Sequence, residues 1–405
     1  MATLHLTYVL LSPTFGMHQY TADLANRAAA GAFEGLSCQV ITTSTLRRDR
    51  YSDQVRIQTP VATRGTGFAL EGLHAAAYRR VLAAIFASTT ANSAACHFTG
   101  VHLWNVPLVH ALRLKGVPVI HTLHDLDPHH GVRFGAFIRL WDRLIVASGC
   151  HLLVHGARYR DLLLAQGVPP ERVTCVPLLH GFLSGEHAWP PENEAILNHN
   201  LDLRPVLFFA RVEPYKGVDT LLAAWPKVAA ALPAARLVIA GPVAQGMALP
   251  PLPPSVALRD RRVLDGEALE LFRSASLVVL PYRDATQSAL VAAAYAFQLP
   301  VIVTRSGALP EYVVPGETGW VVPPGDPPAL AAALRDALGD PARLRRMGAA
   351  GRAWFDAQRL AEQADLTAMY ARTACASPAP PLPAASASRL PHPSSYGPTG
   401  PESEA

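Results

Sequence analysis

Residues 206–224, with the sequence VLFFARVEPYKGVDTLLAA, decide the fold expected for the second half of the chain. The stretch begins with a short apolar run rich in Val and Phe, which is typical of a strand buried on both faces. Arg211 follows at the carboxyl end of this strand. Gly217 then opens a segment whose apolar residues recur at helical spacing. The stretch therefore predicts a strand, a short loop and a helix in succession.

Lys216 and Gly217 would then lie at the amino terminus of that helix, where anions bind. The first turn offers unpaired N–H groups and the positive end of the helix dipole, and Arg211 and Lys216 add full charges on either side. Lys216 is one of only three lysines among 35 basic residues, so a compact ammonium stands where Arg is otherwise used. A diphosphate would fit this arrangement. The alternative from spacing alone is a loop with two solvated charges.

The composition is that of a globular protein long enough for two or three domains, with 405 residues of which 50% are apolar and 16% charged. The formal net charge of +4 is mild, but residues 1–185 carry 16 Lys and Arg against 10 Asp and Glu. This surplus fits an anionic acceptor or a lipid surface, and it also fits arginines on solvated helix faces. Repeats and nucleic-acid-binding signatures are absent, so no nucleic-acid partner is expected.

The cysteines and the first residues indicate a cytoplasmic protein. Five dispersed cysteines without a C-x-x-C pair fit reduced thiols in a cytosol. The start, MATLHLTYVLLS, lacks a basic segment, and no uninterrupted apolar run reaches the ~18 residues of a membrane-spanning helix. We therefore expect a chain that is neither exported nor membrane-spanning by itself.

Strand-like and helix-like patterns alternate along both halves of the chain. In the first half, strands are predicted at 4–10, 37–42, 94–98, 117–122, 151–154 and 173–176, and helices at 18–30, 71–88, 105–115, 134–147 and 157–166. In the second half, strands are predicted at 206–210, 236–240, 277–280 and 300–304, and helices at 218–231, 266–275, 288–297, 327–338, 341–357 and 358–372. Such alternation predicts parallel sheets wrapped by helices.

The predicted fold class is α/β, with two doubly wound Rossmann-like domains facing each other across a cleft. The expected organisation is a first domain at 1–185, a linker at 186–204, a second domain at 205–352, a helical segment at 353–376 that crosses back to the first domain, and a disordered tail at 377–405. Ligands bind at the carboxyl ends of the strands in such folds, so the cleft is the expected site.

Several ordered motifs in the second half resemble one family. They are ARVEPYKGVDTLL, the run SASLVVLPYRDATQSALVAAAYAFQLPVIVT at 274–304, SGALPE at 306–311 and GETGWVVPP at 316–324. Together they resemble the retaining nucleotide-sugar glycosyltransferases of the large family 4 type, which have the GT-B fold. Similarity is weaker in the first half, where it covers the loop around Gly16, VIHTLHDL at 119–126 and VPLLHG at 176–181.

The resemblance implies roles for four residues. Arg211 and Lys216 correspond to the pair that grips the donor diphosphate, a backbone amide at Gly16 approaches the donor, and His124 lies beside the transferred sugar. The alternative for His124 is a hydrogen-bonded loop histidine. A metal site is not expected, because the clustered histidines around His124 have neither an H-x-x-x-H helical spacing nor paired cysteines. The family generally works without a bound cation, so we expect no metal and no cofactor.

The sequence departs from the family at two positions. The family typically carries two glutamates eight positions apart that contact the donor sugar and the ribose, and Ala285 and Ala293 stand there instead. We expect Asp284 first of all, together with Gln287 and Ser288, to supply these donor contacts. Thr286 and Gly307 are further expected donor-binding residues. The alternative for the polar residues before the predicted helix is an ordinary helix cap.

The resemblance implies an enzyme that moves a sugar from a nucleoside-diphosphate sugar to an acceptor hydroxyl with retention of configuration. Polysaccharide or glycoconjugate synthesis is the expected setting, with a glycan, lipid-linked or small-molecule acceptor and a possible peripheral contact with the inner face of the cell membrane. Two alternatives stay open. The chain could be a catalytically impaired GT-B-fold partner protein, or it could be a GT-B epimerase or phosphorylase.

Overall fold

The computed structural model describes residues 4–12, 15–43, 48–61, 74–89, 94–124, 126, 135–181 and 205–375. Within them the chain forms two parallel sheets of seven and six strands, each flanked by helices. This architecture confirms the predicted α/β class with two doubly wound units. The expected linker at 186–204 and the expected disordered tail at 377–405 lie outside the described residues.

The first unit contains seven strands in the order β3-β2-β1-β4-β5-β6-β7. The strands are β1 (Leu4–Leu10), β2 (Leu36–Thr42), β3 (Arg56–Gln58), β4 (Ala94–Phe98), β5 (Val119–Thr122), β6 (His151–Val154) and β7 (Val173–Cys175). The helices are α1 (Phe15–Ala29), α2 (Ala75–Ser88), α3 (Asn105–Leu114), α4 (Gly135–Ala147) and α5 (Ala157–Ala165). Nearly every residue of the central strands is buried, because helices cover both faces of the sheet.

The second unit contains six strands in the order β10-β9-β8-β11-β12-β13. The strands are β8 (Val206–Phe209), β9 (Leu237–Ala240), β10 (Val256–Arg259), β11 (Leu277–Leu280), β12 (Val301–Thr304) and β13 (Gly319–Val322). The helices are α6 (Val218–Ala231), α7 (Asp265–Ser274), α8 (Ala289–Ala296), α9 (Pro327–Gly339) and α10 (Pro341–Cys375). The strand order reverses between β8 and β11, as it does between β1 and β4 in the first unit. Such a reversal opens a crevice at the carboxyl ends of the strands.

The three strands that the sequence did not predict all lie at sheet edges. β3 ends the first sheet, and β10 and β13 end the second. An edge strand pairs on one side only and keeps part of its surface in water, so its sequence carries a weaker apolar pattern. β10 shows this directly, because three of its four residues are exposed or half-buried.

Two helix boundaries also differ from prediction. Helix α1 begins at Phe15 rather than at residue 18, so Gly16 lies in its first turn and not in a loop. Helix α10 is one continuous helix of 35 residues, where two helices were expected. Its glycines are packing positions and not breaks, since a Cβ on Gly348 would overlap the carbonyl oxygen of Gln298.

The far half of α10 lies against the first unit. Arg359 forms ion pairs with Asp23 of α1 and with Glu362, which also pairs with Arg27. Burial disfavours the charged form of Asp23, but Arg359 and Arg27 outweigh burial and lower its pKa. A buried network of this kind fixes one arrangement of α10, because any member left without its partner would be costly.

No helix among the described residues combines the length and apolarity needed to cross a membrane. All five cysteines are free thiols.

The first unit buries six histidines whose pKa lies below 6.5, mainly because burial disfavours the charged imidazolium. The pKa falls to about 4 for His102, His151 and His180, to about 3 for His121, and well below its usual range for His97 and His155. The folded protein therefore holds these rings neutral at pH values where an unfolded chain would protonate them.

We expect the free energy of unfolding to fall as the pH drops from about 6.5 towards about 4, because the unfolded chain binds protons that the folded chain does not. Each such histidine contributes up to about 1.4 kcal/mol per pH unit in this window. Thermal melts across the window test the prediction. His151→Gln should flatten the pH dependence, whereas His110→Gln, on an exposed position of α3, should not. Equal slopes for the His151→Gln variant and the parent would contradict it.

Candidate functional site

A cavity of about 440 Å³ lies between the carboxyl ends of the two sheets. The first unit contributes the first turns of α1 and the loops after β5 and β7. The second unit contributes the loop after β8 and the first turns of α7 and α8. Six predicted site residues line it, namely Gly16, His124, Arg211, Lys216, Gln287 and Ser288. The fold therefore brings residues from distant parts of the sequence to one cavity.

Lys216 ends a short 3₁₀ turn, Pro214–Lys216, directly before helix α6. This is the helix amino terminus that the sequence predicted. The Lys216 Nζ lies 4.0 Å from the centre of the Tyr282 ring and 5.0 Å from that of Tyr215. Both aromatic faces attract the ammonium and restrict its position. The ammonium is therefore held beside the first turn of α6 before any ligand binds.

Gly217 explains how the start of α6 reaches this place. It caps the helix with a φ of 68°, a left-handed conformation that favours glycine. A Cβ at this position would also overlap the carbonyl oxygen of Pro281, in the loop after β11. Only glycine lets the two backbones touch, so the start of α6 and the loop that leads to α8 lie side by side at the cavity.

Arg211 follows β8 and is the more exposed of the two cations. Its side chain is 67% exposed, and its Nη2 lies 2.6 Å from the Glu213 Oε1. An ion pair at the surface contributes little free energy, so the pair can rearrange at little cost when an anion arrives. Arg211 is therefore a solvated charge, as the alternative held, and it also lines the same cavity as Lys216.

The wall from the first unit is built around Tyr20. Its ring packs edge-on against three histidines, with centroid distances of 5.0 Å to His124, 5.2 Å to His155 and 5.7 Å to His180. The His124 Nε2 donates to the Thr99 carbonyl oxygen at 3.0 Å, which fixes the ring. His124 is therefore a hydrogen-bonded loop histidine, as the alternative held, and it also lines the cavity.

His155 and His180 of this wall are neutral, because burial lowers the pKa of both rings. Burial is the main reason why the pKa of His180 falls to about 4 and that of His155 lies well below its usual range. Within the described part of the chain, the His180 Nδ1 is buried and has no hydrogen-bond partner. A neutral imidazole of this kind hydrogen-bonds hydroxyl groups without adding charge. This side of the cavity therefore suits an uncharged polar ligand group.

Gln287 connects the two units at the cavity. Its Nε2 donates to the backbone carbonyl oxygen of His124 at 3.1 Å. Its Oε1 is buried without a partner among the described residues. A buried acceptor without a donor is costly, so a ligand hydroxyl that donates to this oxygen would be favoured.

Ser288 is the residue that caps helix α8. Its side-chain oxygen accepts a hydrogen bond from the Leu290 N–H at 3.4 Å. The helix-cap alternative therefore applies to Ser288, which lines the cavity as well. Asp284 lies four residues earlier and does not line the cavity.

Thr286 and Gly307 also lie outside the cavity lining, in the packing behind it. The Thr286 carbonyl oxygen accepts hydrogen bonds from the Tyr159 hydroxyl and the Ala308 N–H. Gly307 has a φ of 53°, and a Cβ there would overlap the Ala285 carbonyl oxygen. The two residues thus hold the loop that presents Gln287.

The alanines at the family's glutamate positions are both buried. Ala293 is fully buried and Ala285 nearly so, and neither lines the cavity. The polar side chains at this edge of the cavity are Gln287 and Ser288. The loop and the helix start therefore offer amide and hydroxyl groups where the family typically offers carboxylates.

Ties between the two units hold the cavity walls together. Both carboxylate oxygens of Asp265, at the start of α7, lie 2.7 Å from the Arg50 guanidinium of the first unit. Across the cleft, the Glu311 carboxylate accepts hydrogen bonds from the N–H groups of Ala157 and Arg158 at the start of α5, at 2.6 and 3.2 Å. A carboxylate is favoured at a helix amino terminus, so Glu311 joins the units through the dipole of α5.

Three further residues line the cavity without a role predicted from the sequence, namely Tyr20, His180 and Asp265. His180 belongs to the VPLLHG motif, which was a usable signal. Tyr20 lies within an amphipathic helix and gives no separate signal. Among the described residues, no group of three or more His, Cys, Asp or Glu side chains could hold a metal ion.

Two family models match the chain. Residues 15–178 match a glycosyl transferase 4-like domain, and residues 204–340 match the domain of glycosyl transferases group 1. The first match contains Tyr20, His124 and His155 of the histidine wall, and the second contains Arg211, Lys216 and the loop around Gln287.

Curated relatives carry related names. The D-inositol 3-phosphate glycosyltransferase of Streptomyces avermitilis is 29% identical over 266 residues, which cover 61% of this chain and 56% of that protein. The chain thus matches just over half the length of this relative. The protein of the same name from Kineococcus radiotolerans is 27% identical over 380 residues, which cover 82% of this chain and 85% of that protein.

Solved structures show the same two-unit fold. The sucrose-phosphate synthase of Thermosynechococcus elongatus superposes with a TM-score of 0.67 at 20% identity, over 91% of this chain and 98% of that one. Anabaena HepE in complex with UDP and glucose superposes with a TM-score of 0.64 at 15% identity, over 90% and 98%. The chain therefore belongs to the glycosyltransferases that combine a glycosyltransferase 4-like domain with a group 1 domain in a GT-B fold.

Proposed function

We propose that the protein transfers a sugar from a nucleoside-diphosphate sugar to an acceptor hydroxyl with retention of configuration. One observation carries the proposal. Arg211 and Lys216, beside the amino terminus of α6, share a cavity with the wall of His124 and His180. The cavity thus offers cations and a helix dipole at one side and hydroxyl-binding groups at the other. A nucleotide sugar matches this arrangement, because its charged diphosphate is joined to an uncharged sugar that carries hydroxyl groups.

The cations act where charge develops. As the bond between the anomeric carbon and the phosphate oxygen breaks, the diphosphate gains negative charge, and Arg211, Lys216 and the first N–H groups of α6 stabilise it. Tyr282 and Tyr215 hold the ammonium of Lys216 in advance, so little reorganisation accompanies the step. Apolar lining from Phe209, Val263 and Ala268 offers a surface for the base.

We propose that the anomeric configuration is retained because the acceptor displaces the diphosphate from the front face of the sugar. Asp265 is the acidic side chain in the described lining, and its two oxygens are both bound to Arg50. A carboxylate held in this way is a poor nucleophile, so no covalent sugar intermediate is proposed. The acceptor oxygen bonds to the anomeric carbon on the face that the diphosphate leaves, and the departing phosphate oxygen takes the acceptor proton.

The proposed donor contacts are Gly16, His124, Gln287 and Ser288. Gly16 offers a backbone N–H in the first turn of α1, and the unpartnered Gln287 oxygen accepts from a sugar hydroxyl. We propose no direct donor contact for Asp284, Thr286 or Gly307, because these residues do not line the cavity. They support the loop from behind.

Synthesis of a polysaccharide or glycoconjugate in the cytoplasm, at or near the inner face of the cell membrane, is the proposed setting. The relatives named D-inositol 3-phosphate glycosyltransferase support a polar, hydroxyl-rich acceptor. The alternative of a catalytically impaired partner protein rests on Ala285 and Ala293. Slow donor hydrolysis by the purified chain would exclude that alternative, and a release of nucleoside diphosphate that an acceptor strongly accelerates would exclude an epimerase or phosphorylase.

Lys216→Ala and Arg211→Ala should each lower kcat/KM by about 100-fold, because a charge-assisted phosphate bond is worth about 1.5 to 3 kcal/mol. The melting temperature without donor should change little. Lys227→Ala, on an exposed position of the same helix α6, is the matched control and should keep full activity. Parent-like rates for Lys216→Ala would refute the phosphate site.

Gln287→Ala should lower kcat/KM for the donor by about 10- to 100-fold, through loss of one or two buried hydrogen bonds. Thr286→Val is the matched control one residue away. The Thr286 hydroxyl is buried without a partner among the described residues, so this isosteric change should leave activity intact and stability equal or higher. A larger loss of activity in Thr286→Val than in Gln287→Ala would show that the loop presents a different side chain to the donor.

We also propose that the reaction needs no metal ion or other cofactor, because Arg211, Lys216 and the helix terminus already neutralise the diphosphate. Activity of protein dialysed against a chelator should equal that of untreated protein. The assay should be repeated with added magnesium and manganese. A rate that depends strictly on either ion would contradict the proposal.

A further inference from the structure

One ion pair between helices α1 and α10 holds the backbone on both sides of His180. The Arg359 Nη1 donates a hydrogen bond to the Leu179 carbonyl oxygen at 3.3 Å. The Gly181 N–H donates to the Asp23 Oδ1, also at 3.3 Å. The same Asp23 oxygen lies 2.5 Å from the Arg359 Nη2. Asp23 and Arg359 therefore form a clamp around the one residue between these two peptide groups, which is His180.

The ring of His180 is supported from the same helix. Tyr20 precedes Asp23 by three residues on α1, so both side chains lie on one face of the helix. The Tyr20 ring packs edge-on against the His180 ring at 5.7 Å and against the His124 ring at 5.0 Å. His180 and His124 thus share one support, and both line the cavity.

The clamp goes beyond what the attachment of α10 requires. Tyr370, further along α10, also anchors this helix to the first sheet. Its hydroxyl lies 3.2 Å from the Tyr8 hydroxyl and 3.2 Å from the His97 Nδ1, and neither contact involves the loop after β7. The hydrogen bonds to the peptide groups beside His180 therefore fix a part of the cavity wall in addition to the helix.

We propose that Asp23 and Arg359 are positioning residues, which hold His180 where a ring nitrogen binds a hydroxyl group of the transferred sugar. This role rests on the proposed function, which gives the cavity beside His124 to the sugar. The His180 ring lines the cavity, and its Nδ1 is buried without a partner among the described residues. A hydrogen bond weakens steeply as its distance and angle change. Sugar binding therefore depends on the clamp, although the clamp itself does not touch the ligand.

The second unit takes part in placing His180. Helix α10 starts in that unit, where Gly348 packs against the Gln298 carbonyl oxygen. The Leu178 N–H, in the loop that carries His180, donates to the Tyr312 hydroxyl of the second unit at 2.8 Å. Groups from both units therefore hold this loop. His180 takes its place in the wall only when the two units are arranged as they are here.

A comparison of two ligands separates a sugar contact from a phosphate contact. The first is whichever of UDP-glucose, UDP-N-acetylglucosamine and GDP-mannose most raises the melting temperature of the parent, and the second is its free nucleoside diphosphate. Arg359→Gln and His180→Ala should each raise the Kd of the nucleotide sugar by about 5- to 10-fold, through loss of one neutral hydrogen bond. The Kd of the free diphosphate should stay within about 2-fold, because the cations of the second unit are unchanged.

Two further variants show whether Arg359 acts through His180. Arg359→Lys keeps the charge of the buried network, so it protects the fold. A single ammonium cannot reach both Asp23 and the Leu179 carbonyl as the planar guanidinium does, so this variant should also bind the nucleotide sugar less tightly. The double variant R359Q/H180A should lose no more affinity than either single variant, because both changes remove the same hydrogen bond.

Arg27→Gln is the matched control. It removes a second cation from the same network, but the hydrogen bond that it removes goes to Glu362 and not to the loop. It should lower the melting temperature and leave both Kd values unchanged. Unchanged nucleotide-sugar binding in Arg359→Lys, an equal loss for the free diphosphate, or losses that multiply in the double variant would each overturn the positioning role. A parent that neither ligand stabilises would refute the proposed function, and the positioning role with it.

Discussion

The contact between Gly217 and the carbonyl of Pro281 is the constraint on which the site depends. It brings the start of α6 against the loop after β11, so that Lys216 lies over Tyr282 from that same loop. The loop continues to Gln287 and Ser288, at the start of α8. A side chain larger than hydrogen at position 217 would separate these backbones, and the cationic and polar parts of the cavity would move apart together.

Polar contacts connect the first unit to this arrangement. Gln287 donates to the His124 carbonyl, Asp265 binds Arg50, and Glu311 caps α5. The Tyr312 hydroxyl adds a link, since it donates to the His155 carbonyl and accepts from the Leu178 N–H. Polar ties of this kind set geometry closely and cost little to break in water, which suits a cleft that must admit and release ligands.

The two sides of the cavity differ in electrostatic character, and burial is the reason. Burial lowers the pKa of His155 and His180 in the first unit, whereas the Arg211 side chain of the second unit is largely exposed. The surplus of basic residues in the first half of the sequence therefore does not lie in the cavity wall of that half. Part of it lies on the outer face of α4, where Arg139 is exposed and Arg143 half-buried.

The sequence by itself determined the fold class, the central strands and helices, and the position of Arg211, Lys216 and Gly217 between a strand and the start of a helix, because each of these is encoded by a local pattern. An apolar run, a helical period and a glycine at a turn are visible without knowledge of the partner. The sequence did not predict the edge strands β3, β10 and β13, because a strand that pairs on one side only has a weak apolar pattern. Tertiary structure alone decided that Gln287 and not Asp284 faces the cavity, that Ser288 is the cap, and that Tyr20 and His180 belong to the wall. These roles depend on which way a side chain points once two units meet, and no spacing within one element encodes that direction.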